Sequence, residues 1–124
     1  MVKRRPVYLN LFKIRLPLPG LVSILHRASG ALLFVLLPVL LFGLQQSLAS
    51  AADFAALHVW LRQPLVKLVL LGVVWAYLHH FFTGLRYLAL DLDWGADLPQ
   101  ARFSAKLVLA AGMVATLLIG VWLW

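Results

Sequence analysis

A chain of 124 residues with a net charge of +7 has room for one small domain. Its composition, 64% hydrophobic and only 12% charged, is far from a soluble globular balance and too apolar for a nucleic-acid binder of this size. The absence of cysteine excludes iron–sulfur ligation, c-type haem attachment and disulfides within the chain.

The first 20 residues are basic and carry Pro6, Pro17 and Pro19, which predicts an irregular N-terminal segment with at most a short amphipathic piece. Lys3, Arg4 and Arg5 look like the start of a signal peptide, but Lys13, Arg15, His26 and Arg27 interrupt any apolar core behind them, so no cleavable signal is read. From about Leu21 to Leu48 the chain is apolar and long enough to cross a hydrocarbon core, which needs ~20 helical residues. Pro38 lies inside this run and predicts a mild kink, tolerated in membranes. Residues 49–63, with Asp53 and Arg62, read as a short polar link. A second span runs from about Leu65 to Leu90. Asp91, Asp93, Asp97, Pro99 and Arg102 then mark a second link to about Ala105. The third span covers about 106–124, and its Gly112, Thr116 and Gly120 form a small-residue stripe suited to close helix packing. The expectation is an all-α integral membrane protein, one domain over 1–124 with three transmembrane helices.

Orientation follows from the cations. Lys3, Arg4, Arg5, Lys13, Arg15 and Arg27 precede or open the first span, and Arg86, Arg102 and Lys106 flank the second link. Only Arg62 and Lys67 lie near the first link, which predicts a cytoplasmic N-terminus and an outer C-terminus with Trp122 and Trp124 at the outer interface.

His80 lies inside the second span, flanked at helical spacing by Gly72, Ala76 and Gly84. An ionisable side chain at this depth is costly and marks function by default. A haem held by such a histidine lies along the helix surface, so the residues one turn away must be small. Ala76 and Gly84 meet that need, whereas His79 points about 100° away, with bulky Trp75 one turn back. His80 is therefore the candidate axial ligand. The bland alternative is a histidine hydrogen-bonded across a helix interface. One histidine supplies one axial position. His26 is conceivable for the second, but it enters at the membrane edge, and a partner chain is the better source. The propionates of such a haem would aim toward His26, Arg27 or Arg86.

Ser23, His26, Arg27 and Gly30 fall at i, i+3, i+4 and i+7 on one helix face. A hydroxyl and a guanidinium at the membrane edge can donate to quinone carbonyls, and the cation stabilises negative charge developing there. The same spacing suits a capping serine with snorkelling interface cations. Spacing alone does not separate the two.

Two ordered motifs carry a resemblance. The first is Arg5-Pro6-Val7 with Leu9, followed by Ser23-Ile24-Leu25-His26-Arg27-Ala28-Ser29-Gly30; the second is His80, then Gly84-Leu85-Arg86, then Asp91. Over nearly its whole length the chain resembles the cytochrome b membrane-anchor subunit, the larger of two anchors, of bacterial and mitochondrial succinate dehydrogenase, respiratory complex II. The resemblance implies a bacterial inner-membrane complex with a flavoprotein, an iron–sulfur protein and a second small anchor, set in membrane lipid and with no nucleic-acid partner. It implies that His80 ligates the iron of one haem b, shared with a histidine of the second anchor. Ser23 and Arg27 would then line the site for ubiquinone, the substrate, and His26 and Arg27 would lie near the haem propionates. The family often has histidine where this chain has Tyr87. The dehydrogenase site itself would lie on the flavoprotein. Two other readings stay open at this stage: an anchor of a quinol:fumarate reductase, and a small membrane transporter subunit using intramembrane His and Arg.

Overall fold

The structure, a computed structural model, describes residues 14–124. Four helices follow in order: α1 Leu18–Ala49, α2 Ala51–Leu61, α3 Pro64–Asp91 and α4 Leu98–Leu123, with no strand among the described residues. Helices α1, α3 and α4 are each long and apolar enough to cross a membrane, with mean hydropathies of 2.1, 1.7 and 2.1. The three expected spans are these helices. The motif around Arg5-Pro6-Val7 and the cations Lys3, Arg4, Arg5 and Lys13 lie outside the described residues.

Two links depart from expectation. The expected short polar link over residues 49–63 is mostly a helix, Ala51–Leu61. The cause is local: the Ser50 hydroxyl accepts from the Asp53 backbone N–H at 3.0 Å and donates to the Asp53 carboxylate at 2.6 Å. That is a capping arrangement of the Ser-x-x-acid type. Helix α4 begins at Leu98, well before the expected start near 106. Pro99 sits in its first turn, where a missing N–H costs nothing because that donor has no intrahelical partner. Pro19 opens α1 and Pro64 opens α3 in the same way. Helix α1 continues through Pro38 as one element.

The turn between α3 and α4 is short and tightly bonded. Trp94 N–H donates to the Ala89 carbonyl at 3.0 Å, and Asp93 N–H to the Leu90 carbonyl at 3.0 Å. Asp93 and Gly95 both take positive φ, 58° and 77°. Aspartate tolerates this conformation better than most residues and glycine takes it without strain.

Helix α3 lies between the other two spans. Its buried residues Ala76, His79, Thr83 and Arg86 recur at helical spacing, and those of α4 are Ala105, Val108, Gly112 and Thr116. The small stripe of α4 acts as expected: a Cβ on Gly112 would stand 3.7 Å from the His79 Cα, and one on Gly120 would stand 3.2 Å from Leu71 Cδ2. Thr116 satisfies its own hydroxyl by donating to the Gly112 carbonyl at 2.7 Å. Lys67 Nζ donates to the Leu123 carbonyl at 2.9 Å and stands 5.1 Å over the Trp124 ring, tying the start of α3 to the end of α4. Most large apolar side chains face outward, among them Phe34, Leu48, Val121 and Trp122. Lipid and protein neighbours, not water, are their natural surroundings.

Candidate functional site

The end of the bundle formed by the start of α1, the second half of α3 and the start of α4 gathers the polar intramembrane residues. His80 of α3 is half-buried against α1. Its imidazole lies flat on that of His26, with centroids 4.2 Å apart and planes within 4°. Tyr87 stands edge-on to His26 at 5.2 Å. Gly30 admits this stack, and Gly84 borders it at ordinary contact distance. A Cβ on Gly30 would approach His80 Cε1 to 2.8 Å, and one on Gly84 would lie 3.8 Å from His26 Nε2.

His80 Nδ1 lies 3.0 Å from the His26 carbonyl oxygen. That oxygen can only accept, so Nδ1 carries the proton and donates. In a neutral imidazole the other nitrogen, Nε2, then holds the free lone pair. The Ser29 hydroxyl, itself nearly buried, donates to the same carbonyl at 2.9 Å and lies 3.4 Å from His80 Nδ1. A histidine whose second nitrogen is tied to a carbonyl is how proteins orient a metal-binding imidazole. Among the described residues, no three His, Asp or Glu side chains converge on one point. A simple metal ion needs such a cluster, but haem iron already has four porphyrin nitrogens and asks for one or two axial ligands. The donor set therefore fits haem.

His79 differs. It is fully buried, stacked on Trp75 at 5.2 Å and packed by its backbone against Gly112 of α4, with neither ring nitrogen hydrogen-bonded. Protein encloses it on the α4 side, leaving no room for a ring-sized ligand.

The small stripe around His80 is only partly open. His26 covers Gly84, and Ala76 is 2% exposed beneath α1, because α1 packs across that half of the stripe. Nothing lies within 4 Å of where a Gly72 Cβ would stand. A groove of about 440 Å³ runs there, lined by Ala28, Ser29, Gly72, Trp75 and Ala76 among others. It meets the His80 site at Ser29. The parallel stack also bears on the second axial position. Two imidazoles lying face to face cannot bind one iron from opposite sides, since axial nitrogens must point toward each other. His26 as placed here is a buttress for His80.

The Ser23, His26, Arg27, Gly30 face divides in the fold. His26 and Gly30 turn toward α3, Ser23 is half-buried, and Arg27 is exposed, its Nε donating over a long 3.4 Å to the Ser23 carbonyl. Arg86 turns away from His80. Its Nε donates to the Ser104 hydroxyl at 2.8 Å and its Nη2 to the Ala101 carbonyl at 3.2 Å, both on α4. Sequence reasoning missed Ser29. Its spacing of three from His26 was visible, but its partner on α3 was not.

Gly30→Ala is expected to damage the site without touching a polar group. The intruding methyl meets an imidazole held by a stack and a hydrogen bond, so the ring cannot swing away cheaply. Overpacking of this kind costs about 1–3 kcal/mol. Denaturant unfolding of the assembled complex measures it, and wild-type stability would show that the His80 ring is free to rotate.

These features define a three-span membrane protein with two facing imidazoles inside its helical bundle. The chain belongs to the succinate dehydrogenase/fumarate reductase transmembrane subunit family, whose pattern matches residues 1–119. It is 38% identical over 125 residues to the succinate dehydrogenase cytochrome b556 subunit of Coxiella burnetii, covering all of both chains. The subunit of the same name from Paracoccus denitrificans is 31% identical over 114 residues, 92% of this chain and 88% of that one. That of Rickettsia felis is 26% identical over 118 residues, 95% and 92% of the two chains.

Proposed function

We propose that the chain is the haem b-binding anchor of a bacterial succinate:quinone oxidoreductase, with its N-terminus cytoplasmic. It holds the flavoprotein and iron–sulfur subunits at the inner membrane, together with a second small anchor, and forms part of the ubiquinone site. The observation that carries this reading is the His80 imidazole, with Nδ1 tied to the His26 carbonyl and Nε2 left for iron. The family and the cytochrome b556 relatives support it.

In this reading His80 would hold the haem iron, with a histidine of the second anchor as the other protein ligand. Haem b there supplies a one-electron centre within the membrane. His26 supports the flat of the His80 ring, Ser29 and the His26 carbonyl fix its rotation, and Gly30 leaves the space. Exposed Arg27 with Ser23 offers donors to the carbonyl oxygens of a quinone head at the membrane edge, where a cation favours the charge that reduction brings. The oxidation of succinate takes place on the flavoprotein.

A tag on this chain tests the assignment. The expected eluate contains a flavoprotein, an iron–sulfur protein and a second anchor, with b-type haem absorbance on reduction. A chain that purifies without haem and without a flavoprotein would favour the transporter reading.

A further inference from the structure

Arg86 raises a question that the haem and quinone readings leave unanswered. It is 8% exposed, near the end of α3, with a hydroxyl and a carbonyl as its two hydrogen-bond partners and the Tyr87 ring centroid 5.7 Å from its Cζ. Neither partner carries charge. The chain has four acidic residues, Asp53, Asp91, Asp93 and Asp97; all are exposed and none is hydrogen-bonded to Arg86. A guanidinium has five N–H donors, so most of its donor capacity is unspent. A buried cation is normally paired with an anion.

Arg86 also lines a cavity of about 460 Å³ between α3 and α4. The remaining walls are mostly apolar, including Phe82, Leu85, Leu107 and Ala111, with Trp94 at the turn. Depth identifies the kind of anion. Helix α3 has 28 residues, roughly 42 Å at 1.5 Å per residue, against a hydrocarbon core of ~30 Å. Each end thus projects about 6 Å into the headgroup layer. Arg86 stands five residues, roughly 7.5 Å, before the end of α3 at Asp91, which is the boundary between headgroups and acyl chains. Exposed Trp94, Arg102 and Lys106 share this end of the bundle, the setting of an interfacial, anion-attracting surface.

From this geometry we infer that the α3/α4 cavity is a binding site for one anionic phospholipid. Its phosphate pairs with the Arg86 guanidinium, and an acyl chain lies along Phe82, Leu85, Leu107 and Ala111. A charge-assisted, forked contact of this kind is what arginine offers a phosphate. A soluble phosphate would leave the apolar walls unused, and a zwitterionic lipid would bring its own cation to a site that already has one. The site stands on α3 and α4 alone and does not depend on the haem reading.

The test uses the intact complex, stripped of lipid in a non-ionic detergent, then supplied with phosphatidylglycerol, phosphatidylcholine or inorganic phosphate. Native mass spectrometry counts bound lipid, and thermal unfolding reads stabilisation. The wild-type complex is expected to retain about one phosphatidylglycerol more than the Arg86→Gln complex and to melt a few degrees higher with that lipid only. Leu107→Trp keeps the cation but fills the acyl groove, and it too should lose that lipid. This second variant serves if Arg86→Gln fails to assemble. Equal phosphatidylglycerol binding by wild type and Leu107→Trp would overturn the site. So would indifference between the two lipids, which would mean a carboxylate of another subunit neutralises Arg86, or equal stabilisation by inorganic phosphate.

Discussion

Complex assembled with His80→Ala is expected to lose its low-spin b-type haem spectrum, while complex carrying His79→Ala keeps it. The two residues are neighbours in sequence and chemically identical, so the contrast isolates geometry. His80 stacks on His26 and has Nδ1 committed to a carbonyl, which leaves Nε2 as a ligand atom of defined direction. His79 is sealed between Trp75 and the Gly112 face of α4. On the proposed function, removing His80 would delete this chain's ligand to the haem iron, and the low-spin spectrum would go with it. Removing His79 deletes a buried ring packed between Trp75 and α4. Its cost falls on packing, and unfolding stability records it without a change in the haem band. Reduced-minus-oxidised spectra normalised to flavin decide the matter, and equal haem content in the two variants would defeat the assignment.

The second large effect concerns quinone reduction. Arg27→Ala is expected to cut electron transfer to ubiquinone while sparing succinate oxidation with a soluble artificial acceptor. On the proposed function the flavin and iron–sulfur steps come first, on other subunits, and only the last transfer would need donors at the membrane edge. Arg27 is exposed and makes one long bond, to the Ser23 carbonyl, so its guanidinium is available to a ligand. A lost charge-assisted hydrogen bond of ~1.5–3 kcal/mol corresponds to about 10- to 150-fold in rate when felt fully in the transition state. Ser23→Ala should cost less, since its bond is neutral and water can replace the hydroxyl. Rates are compared per assembled, haem-loaded complex, so that a loss of assembly is not scored as a loss of rate. Undiminished quinone reduction by Arg27→Ala would leave Arg27 as a snorkelling cation; Ser23 is no cap, since α1 already begins at Leu18.

The three spans were legible because each is an apolar run longer than the hydrocarbon core requires. Their ends were not, and the reason recurs. Pro19, Pro64 and Pro99 each sit in a first helical turn, where proline is compatible with a helix, and Pro99 read as part of a link. The helix Ala51–Leu61 was hidden for a similar reason: Ser50 and Asp53 read as link polarity although their spacing is that of a cap. Within the site, the small neighbours of His80 could be read from spacing, yet their use could not. Gly84 is covered by His26, Gly30 makes room for His80, and Gly72 alone of the stripe stays open. Which glycine faces which ring depends on how α1 is rotated against α3, and no single-helix pattern contains that angle. The burial of His79 and the turn of Arg86 onto α4 have the same origin, since both depend on where α4 packs.

The most direct measurement is an experimental map of the complete, oxidised complex that resolves the haem and its axial ligands. Ligation by His80 requires continuous density from its Nε2 to the iron, with Nδ1 still on the His26 carbonyl and the other protein ligand from the second anchor. Iron bound through His79 or His26, or a haem with no ligand from this chain, would contradict it.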